Sequence, residues 1–290
     1  MRSLIVNADD FGLTAGVNRA IGELHEAGVV TSTTLMARAA ATSEAVEMAL
    51  ATPSLGVGCH VVLVDGEPVL SATRDIPHLA DPIDQRFRPK LGGFLGWVYG
   101  MERGGGSSHV REQEIEAEAA AQIGRLQAMG LQVTHIDTHK HTHMFPAVLR
   151  PVLRAARKAG IRAVRNPFEP SWSVRATLGA PWLRRTQINL LRRLESAFRR
   201  IVAEEGFLTT DGALGVLATG TLDAATLSSL LGALPEGVFE LVCHPGYHDA
   251  DLAQAHTRLL ASRETERAAL AGWKDRAEIE PISFAGLGKL

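Results

Sequence analysis

Ser3-Leu4-Ile5-Val6-Asn7-Ala8-Asp9-Asp10-Phe11-Gly12 opens the chain with a short apolar run that ends in two adjacent carboxylates and a turn glycine. The run predicts a buried strand over residues 3–7. Thr14 is suited to cap the helix predicted over 15–27, and Gly28 closes it. Outward from there the alternation repeats, with strand 31–37, helix 43–51 and strand 55–64. β-α-β-α-β is the rhythm of a parallel sheet with crossover helices.

From residue 65 the rhythm breaks into proline-containing and then glycine-rich sequence, with Gly92, Gly93, Gly96, Gly100 and Gly104 to Gly106 around Phe94, Trp97 and Tyr99. A loop of this length is usually functional or disordered, so a flexible insertion is expected around residues 85–108, either a flap over a pocket or a poorly ordered excursion. The alternation then resumes with helix 109–129, strand 131–137, a helix begun by Pro146 and strand 161–165. A basic amphipathic helix over 186–205, strand 214–218, helix 223–234, strand 238–243, helix 257–273 and a last strand over 279–284 complete the chain. This pattern predicts an α/β fold, a distorted or incomplete β/α (TIM-like) barrel, as one domain over residues 1–290. No GxGxxG or Walker motif follows the first strand, so nothing supports a nucleotide-binding sheet.

The 290 residues are 46% hydrophobic with a net charge of −2, which offers no global attraction to nucleic acid. Two cysteines, Cys59 and Cys243, exclude a disulfide framework. No apolar run is long enough for a membrane span, and Leu4-Ile5-Val6 is too short for a secretory signal, so a cytoplasmic location is expected. Charge is unevenly spread: Arg154 to Arg200 holds twelve Lys or Arg against Glu169 and Glu195. That segment is either the solvated face of helices or a surface for anionic lipid or substrate, which makes peripheral membrane contact one expectation and a homodimer another.

Four of the eleven histidines fall in His135-Ile136-Asp137-Thr138-His139-Lys140-His141-Thr142-His143. They alternate with other residues and so share one side while the backbone stays extended. Imidazoles and a carboxylate gathered at one point are the usual ligands of a borderline divalent metal. Parallel α/β folds build their sites at strand C-termini, and four predicted strand ends carry candidates: Asp9 and Asp10, His60, Asp137 with His139, and His244. Each has an ordinary structural use as a helix cap, core histidine or turn former, yet all four together would require coincidence. Adjacent carboxylates on an extended backbone point in different directions, so one of Asp9 and Asp10 can bind a metal while the other faces the reacting water. Two histidines and one aspartate leave open positions, the pattern of a catalytic metal, and a histidine such as His244 suits protonation of a leaving group.

These motifs resemble those of the YdjC-like deacetylases, a group that includes chitooligosaccharide deacetylases and the hopanoid-associated HpnK proteins. The resemblance rests on Asn7-Ala8-Asp9-Asp10-Phe11-Gly12, Thr31-Ser32-Thr33-Thr34, Gly58 through Leu63, His135 through Pro146, and Cys243-His244-Pro245-Gly246-Tyr247. It implies a distorted β/α barrel that removes acetyl groups from N-acetylated sugars or glycolipids with one divalent metal ion, Zn2+ or Mg2+. Carried over by position, it implies Asp10, His60 and His139 as metal ligands, Asp9 as catalytic base and His244 as acid. Asp137, His141, His143 and Tyr247 become candidate substrate contacts, with His141 and His143 alternatively orienting the ligands. Residues 65–108 and the basic segment after Asn166 match no motif of the family.

Overall fold

The computed structural model describes residues 1–102, 104–273 and 278–289. Its centre is β1 (Arg2–Phe11), buried on both faces almost throughout because it carries helices outside and the barrel interior inside. On one side follow β2 (Ser32–Leu35), β3 (Gly56–Val61) and β4 (Ile136–Thr138). On the other lie β6 (Gly237–Cys243) and β5 (Gly212–Leu214), giving the parallel order β4-β3-β2-β1-β6-β5, while β7 (Glu280–Pro281) pairs with the start of β1.

Residues 163 and 164 span the gap between β4 and the approach to β5 by isolated parallel bridges, Ile136 with Val164 and Ala163 with Leu208. The sheet therefore curls into a distorted, incomplete barrel. The strand expected over 161–165 goes no further because Pro167 has no N–H to donate and the residue before it is restricted. Strand 131–137 is likewise shorter than expected, with the regular ladder confined to β4. The last expected strand, 279–284, holds only the two residues of β7.

The helices are α1 (Ala15–Glu26), α2 (Thr42–Ala51), α3 (Leu91–Val98), α4 (Ser108–Ala128), α5 (Pro146–Lys158), α6 (Ser171–Ala176), α7 (Trp182–Leu191), α8 (Glu195–Glu204), α9 (Ala224–Gly232), α10 (Ala250–Gln254) and α11 (Ala261–Ala271). Thr14 caps α1 by accepting from the Val17 N–H. The single basic helix expected over 186–205 is two, α7 and α8, joined by a tight turn at Arg192–Leu194. α8 sinks Phe198, Ile201 and Val202 into the core whereas α7 buries nothing, so the two follow different surfaces.

The segment from 65 to 108 is tied down by α4, which presents Glu114, Glu118 and Gln122 at four-residue spacing. Glu118 accepts from the Val69 and Leu70 N–H groups at 2.8 and 3.0 Å, and Glu114 from those of His78 and Leu79 at 3.0 and 2.7 Å. Gln122 exchanges two bonds with the backbone of Val62. Within the glycine-rich stretch α3 buries Phe94 and Trp97, and the Trp97 indole donates to the Gly105 carbonyl; Arg103 lies outside the described residues. Among the described residues no helix is long and apolar enough to cross a membrane.

Candidate active site

At its C-terminal end β1 leaves regular geometry. Asp10 has φ 65° and Gly12 φ 92°, and the register with β2 slips between Ala8 and Phe11. A left-handed non-glycine residue costs about 1–2 kcal/mol, and Asp is among the few that visit the region. Both Asp9 and Asp10 line one cavity of about 970 Å3 at the strand ends, and their carboxylates meet different arginines, Arg165 for Asp9 and Arg263 for Asp10. His60, His139, His141 and His244 line it too.

Asp10, His60 and His139 present a triangle of donor atoms. The His60 Nε2 lies 3.5 Å from the Asp10 Oδ1 and 3.3 Å from the His139 Nδ1, and the third edge, His139 Nδ1 to Asp10 Oδ1, is 3.7 Å. Tetrahedral ligands at zinc-like bond lengths sit roughly 3.4 Å apart, so the edges fit a small divalent cation. The tautomer of His60 fits as well, since its Nδ1–H donates to the Asp137 Oδ1 at 2.7 Å and leaves Nε2 facing the triangle. Burial would lower the His60 pKa, but Asp137, with Asp9 and Asp10 beyond it, outweighs that and lifts it to about 9. Burial lowers His139 to about 4, which keeps that ring neutral.

Behind the triangle stands Arg165, fully buried. Its Nη1 and Nη2 donate to the two oxygens of Asp9 at 2.7 and 2.5 Å, Nε donates to Glu240 at 2.7 Å, and Nη1 also meets Asp137. Burial alone would raise the Asp9 carboxyl; the guanidinium reverses this and holds it well below the usual carboxylate range. Glu240 goes the other way, pushed up by burial to about 8, and its Oε2 is buried with no hydrogen-bond partner among the described residues. Three acidic groups thus share one guanidinium, and the neutral Glu240 reduces the net charge of the cluster.

His244 closes the opposite side, its Nε2 3.7 Å from the Asp9 Oδ2. Two buried residues of α11 support this half of the site. Arg263 donates to the Asp10 Oδ2 at 2.5 Å, leaving Oδ1 for the triangle, and it outweighs burial to hold the Asp10 carboxyl well below its ordinary value. Glu266 accepts from the His244 backbone N–H at 2.6 Å and from that of Gly220 at 3.1 Å, and its Oε2 is 3.8 Å from the His244 Nδ1.

Comparison with known proteins places the chain. The model of the YdjC-like protein family matches residues 3–278, which is nearly the whole chain. The chain belongs to the YdjC-like family. A carbohydrate deacetylase of Brevibacillus brevis is 44% identical over 165 residues, covering 57% of this chain and 59% of the relative. The chitooligosaccharide deacetylase of Salmonella paratyphi B is 39% identical over 162 residues, 55% of this chain and 58% of that protein. The matched stretches therefore span about three fifths of these relatives. A third, the carbohydrate deacetylase of Thermoanaerobacter pseudethanolicus, is 28% identical over 92% of this chain and 90% of its own length. Among solved structures, a protein of Enterococcus faecalis V583 named for a proposed role in cellobiose-phosphate cleavage superimposes with a TM-score of 0.75 at 26% identity, covering 99% of this chain and 98% of the other.

Within this YdjC-like chain the remaining expected residues scatter. The row of alternating histidines ends at Thr138, because Lys140 and His141 both adopt left-handed backbone and the chain folds into a tight turn from His139 to Met144. His135 lies deep in the barrel, stacked on Phe284 at 3.9 Å and bonded to Asn7. Asp137 is fully buried behind His60, placed to orient that ring and not to meet a sugar. His143 is buried as well, bound to the Thr138 hydroxyl and the Arg165 carbonyl, and does not line the cavity. Tyr247 stands outside it, between Arg19 and Arg267, with its hydroxyl donating to Glu23 at 2.5 Å. His141 does face the cavity, its Nδ1 buried and without a partner among the described residues and its ring held neutral by burial, with a pKa of about 3.

Sequence reasoning passed over Arg165, Glu240, Arg263 and Glu266. Arg165 ends the predicted strand 161–165, and an inspection of strand ends that admitted cations would have found it. Glu240 is an acid inside the apolar strand 238–243, a second legible signal. Arg263 and Glu266 belong to a helix, three residues apart, with nothing local to distinguish them from a solvated face.

Proposed function

We propose that this chain is a metal-dependent carbohydrate deacetylase, hydrolysing the N-acetyl group of an amino sugar and releasing acetate. The observation that carries the reading is the Asp10–His60–His139 triangle with Asp9 and His244 placed beside it in one cavity. Asp10, His60 and His139 would hold the cation, and two imidazoles with one carboxylate favour zinc over magnesium by ligand type. When bound, a divalent cation would polarise the amide carbonyl and acidify water at the site.

The protein's own groups do the rest. Asp9, ionised under the Arg165 fork, takes the proton from the attacking water. His244, on the far side of Asp9, gives a proton to the departing amine. Asp137 and Glu266 hold His60 and the His244 segment in register, and His141 is the remaining candidate for a substrate contact. The cavity is at the upper end of the range for small-molecule sites, with room for more than one sugar ring.

The deacetylase names of the relatives support an N-acetylated carbohydrate as substrate. We infer either a chitooligosaccharide or an N-acetylglucosamine carried by a glycolipid such as a hopanoid. A cytoplasmic location and a homodimer belong to the same reading. A binding protein without turnover would need neither Asp9 nor His244, and a phosphoesterase using the same site would release phosphate. Incubating zinc-loaded protein with N-acetylated chitooligosaccharides and with N-acetylglucosaminyl lipid decides between them: acetate is expected, and phosphate from phosphorylated sugars with no acetate from any N-acetyl substrate would overturn the assignment.

A further inference from the structure

α7 forms one wall of the cavity, with Arg184, Gln187, Ile188 and Leu191 turned inward. Its other side faces away from the protein. Five of its ten residues are apolar, yet none is buried, and Trp182, Leu183 and Leu190 are 76%, 54% and 57% exposed. At 100° per residue these three side chains lie within one outward stripe of about 100°. Leu178, 48% exposed, precedes them on the incoming loop.

Along the chain, the charge flanking the stripe has one sign as far as Glu195, which pairs with Arg199. Residues 170–194 contain Arg175, Arg184, Arg185, Arg192 and Arg193 and no acid. Arg185 is spent on the carbonyls that end α6, and Arg184 on that of Thr219. Arg175 and Arg193 are exposed and meet no carboxylate among the described residues. A second copy of the chain docked through this face would set arginine against arginine across a self-complementary contact, which like charge disfavours. An outward stripe of Trp and Leu bordered by unpaired arginines instead matches the interfacial layer of an anionic membrane, where aromatic and aliphatic side chains enter the headgroup boundary and arginines meet phosphate.

We propose that α7 is an interfacial helix that rests on an anionic lipid surface. The inner face of that helix then brings the cavity wall to within a helix diameter, about 10 Å, of the bilayer. The role does not depend on the reaction at the cavity floor, and its test reads binding alone.

The full chain is floated with vesicles of phosphatidylcholine containing about a third phosphatidylglycerol, and with pure phosphatidylcholine, at low salt. Binding to the anionic vesicles alone is expected. The triple variant Trp182→Ser, Leu183→Ser, Leu190→Ser should lose it with an unchanged melting curve, because all three side chains are exposed. Arg193→Glu, a milder variant, should weaken it at least roughly fivefold. No flotation with either vesicle, or flotation of the triple variant equal to the parent, overturns the proposal. So does light scattering that reveals a dimer which the triple variant splits, since the face would then belong to a second copy.

Discussion

The guanidinium of Arg165 grips both oxygens of Asp9, at 2.7 and 2.5 Å, from a position with no access to solvent. The same side chain reaches Glu240 and Asp137, so the proposed base, the residue bonded to His60 and a third acid all depend on one cation. Replacing Arg165 by Met leaves buried carboxylates facing each other. Breaking a buried pair in this way costs about 3–5 kcal/mol. The melting temperature should fall at pH 7 and partly recover near pH 5, where the carboxylates accept protons. Arg165→Lys keeps the charge and loses the fork; Asp9 then titrates higher, and the acid limb of the pH–rate profile is expected to move to higher pH. A profile unmoved in Arg165→Lys would remove Asp9 as the group behind that limb.

His60 gives a pH dependence with a definite sign. In the metal-free protein its pKa rises from an ordinary 6.5 to about 9, so the stability it contributes is fully present below about 6.5 and is lost as the pH climbs through 9. A cation must displace that proton from Nε2. His139, already neutral, adds no second one. Zinc affinity measured against a competing chelator should therefore rise roughly tenfold per pH unit between 6.5 and 8.5. An affinity constant across that interval would mean that His60 is not a ligand.

Arg263 holds the Asp10 Oδ2 and so selects Oδ1 for the triangle. Partners of this kind typically govern metal affinity by roughly 10- to 100-fold. Arg263→Gln is expected to weaken zinc binding within that range while saturating zinc restores most of the turnover. Unchanged affinity with lost turnover would instead place Arg263 in contact with substrate.

Most of the architecture was legible in the chain because strand ends announce themselves: Asp9-Asp10 and His244 follow apolar runs, and they line one cavity with His60 and His139. What the sequence concealed is backbone detail and long-range polar pairing. Alternation made His135, His139, His141 and His143 look equivalent, but two left-handed residues, Lys140 and His141, end the strand geometry on which that reading depended. Arg165 reaches Asp9 across 156 residues and Arg263 reaches Asp10 across 253, and no local pattern encodes such pairs. The backbone of Val69, Leu70, His78 and Leu79 read as an irregular excursion because the side chains that hold it, Glu114 and Glu118, lie on a helix that follows it in the chain.

The division of labour between Asp9 and the triangle is most directly tested with Asp9→Asn, an isosteric change beside Arg165. Zinc content by elemental analysis and acetate release from an N-acetylated chitooligosaccharide are measured on the same preparation. The expected result is one zinc retained per chain with turnover down by about a thousandfold or more. Turnover equal to that of the parent would contradict the account, and loss of the metal would make Asp9 a ligand instead of the base.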